Sequence, residues 1–167
     1  MALHDDLLKL AEFLARREPR RPKQSSLRRS VSTAYYALFH LLASEGSRIL
    51  APSPPGLRYR VQRAFVHSEM QSVCQTFASG GLTKETESLI SPPLETQLRS
   101  VAAAFVALQQ ARYGADYDVS IPLSKYDVLQ KIAQAKNAFA DWRQVRTTPN
   151  AHVFLTALLL QGRWARH

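Results

Sequence analysis

The sequence predicts an all-α protein, an up-and-down bundle of about five to six helices forming a single domain over residues 1–167. Three observations carry that expectation. Apolar residues recur every three or four positions along six stretches, the period of a helix with one buried face. No stretch alternates apolar and polar residues with the period of two that a half-buried strand needs. Glycine is scarce, at 6 residues, and the 9 prolines fall mostly in clusters between the periodic stretches, as in helices joined by stiff loops.

The first helix is expected from about Leu3 to Arg17, with Leu3, Leu7, Leu10, Ala11 and Leu14 on one face. Asp5 and Asp6 suit its positive N-terminal end, Arg16 and Arg17 its negative C-terminal end, and Pro19 and Pro22 stop it. The second spans about Gln24 to Ser44 on a stripe of Leu27, Val31, Ala34, Leu38 and Leu41, with Ser25 and Ser26 as candidate caps and Gly46 as its stop. The third runs from Leu57 to Phe77 and closes at Gly80-Gly81, and the polar stretch 82–91 reads as loop. Pro92 and Pro93 suit the first turn of a fourth, which carries Leu94, Leu98, Val101, Phe105 and Leu108 and ends before the segment 112–118. Pro122 and Ser124 open a fifth, with Val128, Ile132, Ala135, Phe139 and Trp142 on one side. Thr147-Thr148-Pro149 breaks it, and a short apolar helix from Val153 to Leu160 ends at Gly162.

Composition bounds the function. Hydrophobic content of 46% with 21% charged residues fits a packed globular chain. The lone cysteine, Cys74, makes no internal disulfide and reads as a small buried hydrophobe. The acidic start, with Asp5, Asp6 and Glu12, is unlike a signal peptide, and no apolar run approaches the ~20 residues of a membrane span. A cytoplasmic protein with no membrane partner is expected. The net charge of +9 favours polyanions as partners.

Arg16, Arg17, Arg20, Arg21, Lys23, Arg28 and Arg29 lie within fourteen residues, opposed only by Glu18. Guanidinium forks match phosphate oxygens, so this cluster is the candidate nucleic-acid-binding segment; its plain alternative is a solvated loop with two helix ends. A second group falls in the second helix, where Ser32, Tyr36 and His40 are spaced by four and share a face. That seam is a candidate ligand site or a packed polar stripe. In the segment 112–118, Arg112 can pair with Asp116 or Asp118 to fix a turn, or join Tyr36 and His40 in a pocket.

The third group is Arg60, Arg63 and His67, expected on one face of the third helix. Histidine exchanges a proton near pH 7 and arginine holds a phosphate or a developing oxyanion, which is the chemistry of RNA scission through the 2′-hydroxyl. The bland alternative is an exposed basic face. No phosphate-cradling glycine loop, zinc spacing or nucleophile elbow occurs, and no metal or cofactor is expected.

Four stretches, in order, resemble an uncharacterised bacterial group of the HEPN superfamily. They are Arg29-Ser-Val-Ser-Thr-Ala-Tyr-Tyr-Ala-Leu-Phe-His40, Tyr59-Arg-Val-Gln-Arg-Ala-Phe-Val-His67, Phe105-Val-Ala-Leu-Gln-Gln-Ala-Arg-Tyr-Gly-Ala-Asp-Tyr-Asp118 and Phe154-Leu-Thr-Ala-Leu-Leu-Leu-Gln-Gly-Arg163. The resemblance implies a compact helical bundle, often a homodimer. It implies either a metal-independent endoribonuclease of a toxin–antitoxin or defence system, or a non-catalytic module that binds a nucleotide, an antitoxin or a nucleotidyltransferase. RNase members carry Arg, four to six residues, then His. Arg60 and His67, with six between, meet that spacing and Arg63 does not; Val61 stands where the family's residue is commonly polar, and the family's motif usually lies in a later helix.

Overall fold

A computed structural model describes residues 1–164. They are all-helical, with eight helices and no strand among the described residues: α1 (Leu3–Arg16), α2 (Gln24–Leu50), α3 (Pro55–Gln62), α4 (His67–Ser79), α5 (Lys84–Glu87), α6 (Thr96–Tyr117), α7 (Lys125–Val145) and α8 (Pro149–Trp164). No helix is long and apolar enough to cross a membrane among these residues. The expected five to six helices become eight because the third is two and the stretch after Gly80-Gly81 contains the short α5.

The chain divides into two compact units, and α2, α6 and α7 each contribute to both. The first unit comprises residues 1–40 and 104–139. Its core is built from Ala11, Leu27, Val31, Tyr35, Leu38, Phe105, Leu108, Val128, Ile132 and Phe139, so the stripes expected on α2 and α7 face inward. The Ser30 hydroxyl donates to the Ala11 carbonyl at 2.7 Å and ties α1 to α2, and the Lys136 ammonium meets Glu12 at 2.6 Å and ties α1 to α7. On α1 the expected stripe is only partly used. Ala11 and Ala15 are buried, whereas Leu3, Leu10 and Phe13 are 56%, 44% and 61% exposed. The small alanines are the buried residues of α1, and Leu7 and Leu14 of the stripe are half-buried.

The second unit comprises residues 41–103 and 140–164 of the described chain. Here α4 and α5 pack on α8. Met70, Val73, Cys74, Phe77, Leu98, Val101, Trp142, Phe154, Leu155 and Leu158 are buried, so the short apolar stretch from Val153 onward supplies Phe154, Leu155 and Leu158 to the core. The Glu45 carboxylate, 8% exposed, accepts from the Trp142 indole at 3.1 Å, from Nε and Nη2 of Arg146 at 3.0 Å each, and from Arg48 at 2.7 Å.

Several helix boundaries differ from expectation. Gly46 does not stop α2, which runs to Leu50. A Cβ at Gly46 would lie 2.6 Å from Cζ of Phe65, so the glycine makes room for a ring. That same ring marks the break in the expected third helix. Phe65 is buried, Val66 is extended at φ −116° and ψ 130°, and α4 starts afresh at His67. Pro92 and Pro93 precede α6 and do not sit in its first turn. The buried Asn150 side chain holds them out by bonding the Ser91 amide at 2.8 Å, the Ser91 carbonyl at 2.9 Å and the Glu95 carboxylate at 2.9 Å. Gly114 and Gly162 lie inside α6 and α8. Ser25 and Ser26 also lie inside α2, and the Ser26 hydroxyl bonds Glu18 at 3.0 Å in place of capping. Ser124 does cap α7, accepting the Asp127 amide at 3.0 Å.

Candidate functional site

The basic segment joins α1 to α2 in the first unit. Pro19 and Pro22 keep residues 17–23 from continuing either helix, and this leaves the side chains in solvent. Arg16, Arg17, Arg20, Arg21, Lys23 and Arg29 are exposed. Arg16 lies 3.7 Å from Glu12 and Arg17 lies 3.9 Å from Glu18, long contacts between solvated groups. Arg20, Arg21, Lys23 and Arg29 have no acidic side-chain partner among the described residues.

Arg28 behaves differently. Its guanidinium donates to the carbonyls of Ala115 at 3.0 Å, Asp118 at 2.8 Å and Ile121 at 2.7 Å, with Gly114 at 3.5 Å. The Ala115, Asp118 and Ile121 carbonyls are orphan acceptors at the C-terminus of α6 and in the turn that follows, where a cation also meets the negative end of the helix dipole, whereas the Gly114 carbonyl already accepts the Asp118 amide at 3.0 Å. Arg28 is therefore an internal brace, and the solvent-facing cluster is the other six residues.

The seam between α2 and α6 assembles Ser32, Tyr36, Arg112 and Asp116. Since α6 continues through Gly114, Arg112 and Asp116 stand one turn apart on a helix, not in a turn, and pair at 3.7 Å. The Ser32 hydroxyl donates to Asp116 at 3.3 Å and Arg112 donates to the Tyr36 hydroxyl at 3.3 Å. The Arg112 guanidinium also lies over two rings, 5.1 Å from the Tyr35 centroid and 5.7 Å from that of Tyr36, within cation–π range. Its Nε is buried with no acceptor among the described residues. His40 continues the seam, its ring 6.4 Å from Tyr36 and 5.4 Å from Phe39. Burial, and secondarily the charge of His4, hold the His40 imidazole below its usual value of 6.5. The seam groups largely satisfy one another. Tyr35, the floor beneath Arg112, is a member the sequence did not single out, since its position reads as ordinary core.

In the second unit, Arg60, Arg63 and His67 do not share one helix face. Arg60 is on α3, Arg63 caps its C-terminus and His67 begins α4 beyond the extended Val66. Arg60 and Arg63 are exposed and His67 is half-buried. The helix breaks between Gln62 and His67, so the three residues lack the unbroken turns that a shared face requires.

Among the described residues no three His, Cys, Asp or Glu side chains gather where they would hold a metal ion. Cys74 is fully buried, and burial pushes its thiol well above the usual range, so it is neither a nucleophile nor a ligand. No family model, curated protein or solved structure matches the chain.

Proposed function

We propose that the chain is a HEPN-type helical domain that binds RNA or a nucleotide, and that the segment between α1 and α2 is its phosphate-holding surface. One observation carries this reading: four cations within ten residues of sequence, Arg20, Arg21 and Lys23 in the segment and Arg29 on α2, stand in solvent with no acidic partner among the described residues, on a chain of net charge +9. Unpaired surface cations at this density gather phosphates through counterion release. The domain works as a homodimer or with an antitoxin or nucleotidyltransferase partner, in keeping with the sequence resemblance.

The test is fluorescence anisotropy of a labelled RNA oligonucleotide against rising salt. Replacing Arg20, Arg21 and Lys23 together by alanine removes three phosphate contacts, which at about 0.7 per contact on a single strand flattens the log–log salt slope by about 2. A wild-type protein that ignores RNA at low salt, or a triple variant with an unchanged slope, defeats the reading.

Metal-independent RNA cleavage by Arg60, Arg63 and His67 is the second reading, favoured by the solvent access of both arginines beside the first turn of α4. In it His67 exchanges the proton and Arg60 positions the phosphate, with Arg63 assisting. Cleavage in EDTA that disappears with His67→Ala supports it, whereas binding without cleavage leaves a binding module.

A further inference from the structure

Within the first unit, the α6–α7 loop is fastened to the basic segment and the start of α2, although about ninety residues of sequence separate them. Arg28 donates to the Asp118 and Ile121 carbonyls at 2.8 and 2.7 Å. The Gln24 side chain brackets Leu123, accepting from its amide at 2.9 Å and donating to its carbonyl at 2.8 Å. The Lys125 ammonium reaches the Pro19 carbonyl at 3.5 Å.

Exposed rings stand at both ends of this loop. Tyr113 and Tyr117 lie one turn apart at the end of α6, 64% and 66% exposed, with ring centroids 5.0 Å apart. Tyr126, in the first turn of α7, is 71% exposed. Tyr117 directly precedes Asp118, and Tyr126 directly follows Lys125. The rings at the two ends are thus each one residue from a contact with residues 19–28. A single exposed aromatic is ordinary on a protein surface. Three of them, bonded through the loop to a run of unpaired cations, are the two components of a single-strand binding surface.

The nearby carboxylates are engaged. Asp116 pairs with Arg112 at 3.7 Å and accepts the Ser32 hydroxyl at 3.3 Å. Asp118 accepts from the Ser120 amide and hydroxyl, and Asp127 accepts the Ser124 hydroxyl at 2.6 Å. Their negative charge keeps phosphates on the side of Arg20, Arg21 and Lys23 and leaves the rings to uncharged groups.

We propose that Tyr113, Tyr117 and Tyr126 form a stacking platform for the unpaired bases of single-stranded RNA whose phosphates lie on Arg20, Arg21 and Lys23. This rests on the phosphate-holding role proposed for that segment and adds the kind of RNA it takes. Phosphates meet cations, and every base has a face to lay on a ring, so the strand is held without its sequence being read. A duplex keeps its bases stacked inside and gains nothing from the rings.

The test is anisotropy at fixed salt with two labelled probes, oligouridylate and an abasic oligonucleotide of equal length, which carries the phosphates without the bases. Wild-type protein is expected to prefer oligouridylate by about tenfold or more, from stacking worth about fivefold or more per base. Replacing the three tyrosines together by alanine, at surface positions that the fold tolerates, is expected to bring the probes within about twofold of each other. The salt slope stays where it was, because neutral rings release no counterions. Replacing them by phenylalanine keeps the preference, since the ring and not the hydroxyl stacks. Equal affinity of the wild type for both probes, a preference that survives in the alanine variant, or one lost in the phenylalanine variant overturns the platform and leaves the phosphate reading standing. A wild type that holds neither probe at low salt overturns both.

Discussion

Arg28 and Arg29 are neighbours of identical chemistry with opposite predicted roles. Three of the hydrogen bonds of Arg28 are 3.0 Å or shorter, and each ends on a carbonyl that no helical amide reaches. Bonds from a charged donor contribute about 1.5–3 kcal/mol each, but water replaces the donor at exposed carbonyls, so Arg28→Ala is expected to cost about 2–3 kcal/mol in all. At about 2–4 °C per kcal/mol for a chain of this size, Tm falls by about 4–12 °C. Arg28→Lys recovers part of the loss, because an ammonium donates but lacks the planar fork that spans several carbonyls. Arg29, exposed and without an acidic partner among the described residues, behaves as a surface residue. Arg29→Ala is expected to change stability by no more than about 0.5 kcal/mol, while flattening the RNA salt slope by about 0.7. Circular-dichroism melts and anisotropy titrations on the same samples separate the two effects. Arg28→Ala melting with the wild type, or Arg29→Ala melting as early as Arg28→Ala, would refute the division of labour.

Three other outcomes follow from the same geometry. Glu45→Ala strands the buried Trp142 indole and removes the partner of the part-exposed Arg146 guanidinium, and chemical denaturation should show a loss of about 2–3 kcal/mol; Glu45→Gln, which keeps an acceptor for the indole, should lose less. Gly46→Ala drives a methyl into the Phe65 ring and should destabilise by about 1–2 kcal/mol despite the better helix propensity, whereas adding it to a Phe65→Leu background should cost nothing further. His40, with its folded-state pKa depressed first by burial and then by His4, binds fewer protons folded than unfolded. Its contribution is whole above 6.5 and is lost as pH falls below that value, so denaturation midpoints should drop with acidification near that value and drop less in His40→Gln.

The helical class and most of the core were legible because periodicity reports burial directly: the stripes of α2 and α7 face inward residue for residue. Boundaries were less legible, because glycine and proline carry a local preference that packing overrides. Gly46 reads as a stop until Phe65 is known to occupy its missing side chain, and Pro93 reads as a first-turn residue until Asn150 is known to hold Ser91 and Glu95. The break before His67 was invisible, since Arg63-Ala-Phe-Val66 contains neither breaker residue. With it went the shared face of Arg60 and His67. The seam fared better: the spacing of Ser32, Tyr36 and His40 located it, and Arg112 and Asp116 meet it from α6. Gly114 reads as part of a turn that ends the fourth helix, whereas α6 continues through it to Tyr117.

The distribution of ring side chains gives the two units separate optical signatures. Both tryptophans, Trp142 and Trp164, lie in the unit of residues 41–103 and 140–164, while five of the six tyrosines lie in the other and only Tyr59 shares the tryptophan side. Both indoles therefore lie in one unit, and the basic segment and the seam lie in the other. Unfolding followed by tryptophan fluorescence and by far-ultraviolet dichroism superimposes only when the halves melt as one cooperative body. Where the halves melt separately, a ligand that stabilises the first unit alone moves the dichroism curve and leaves the indole curve where it was.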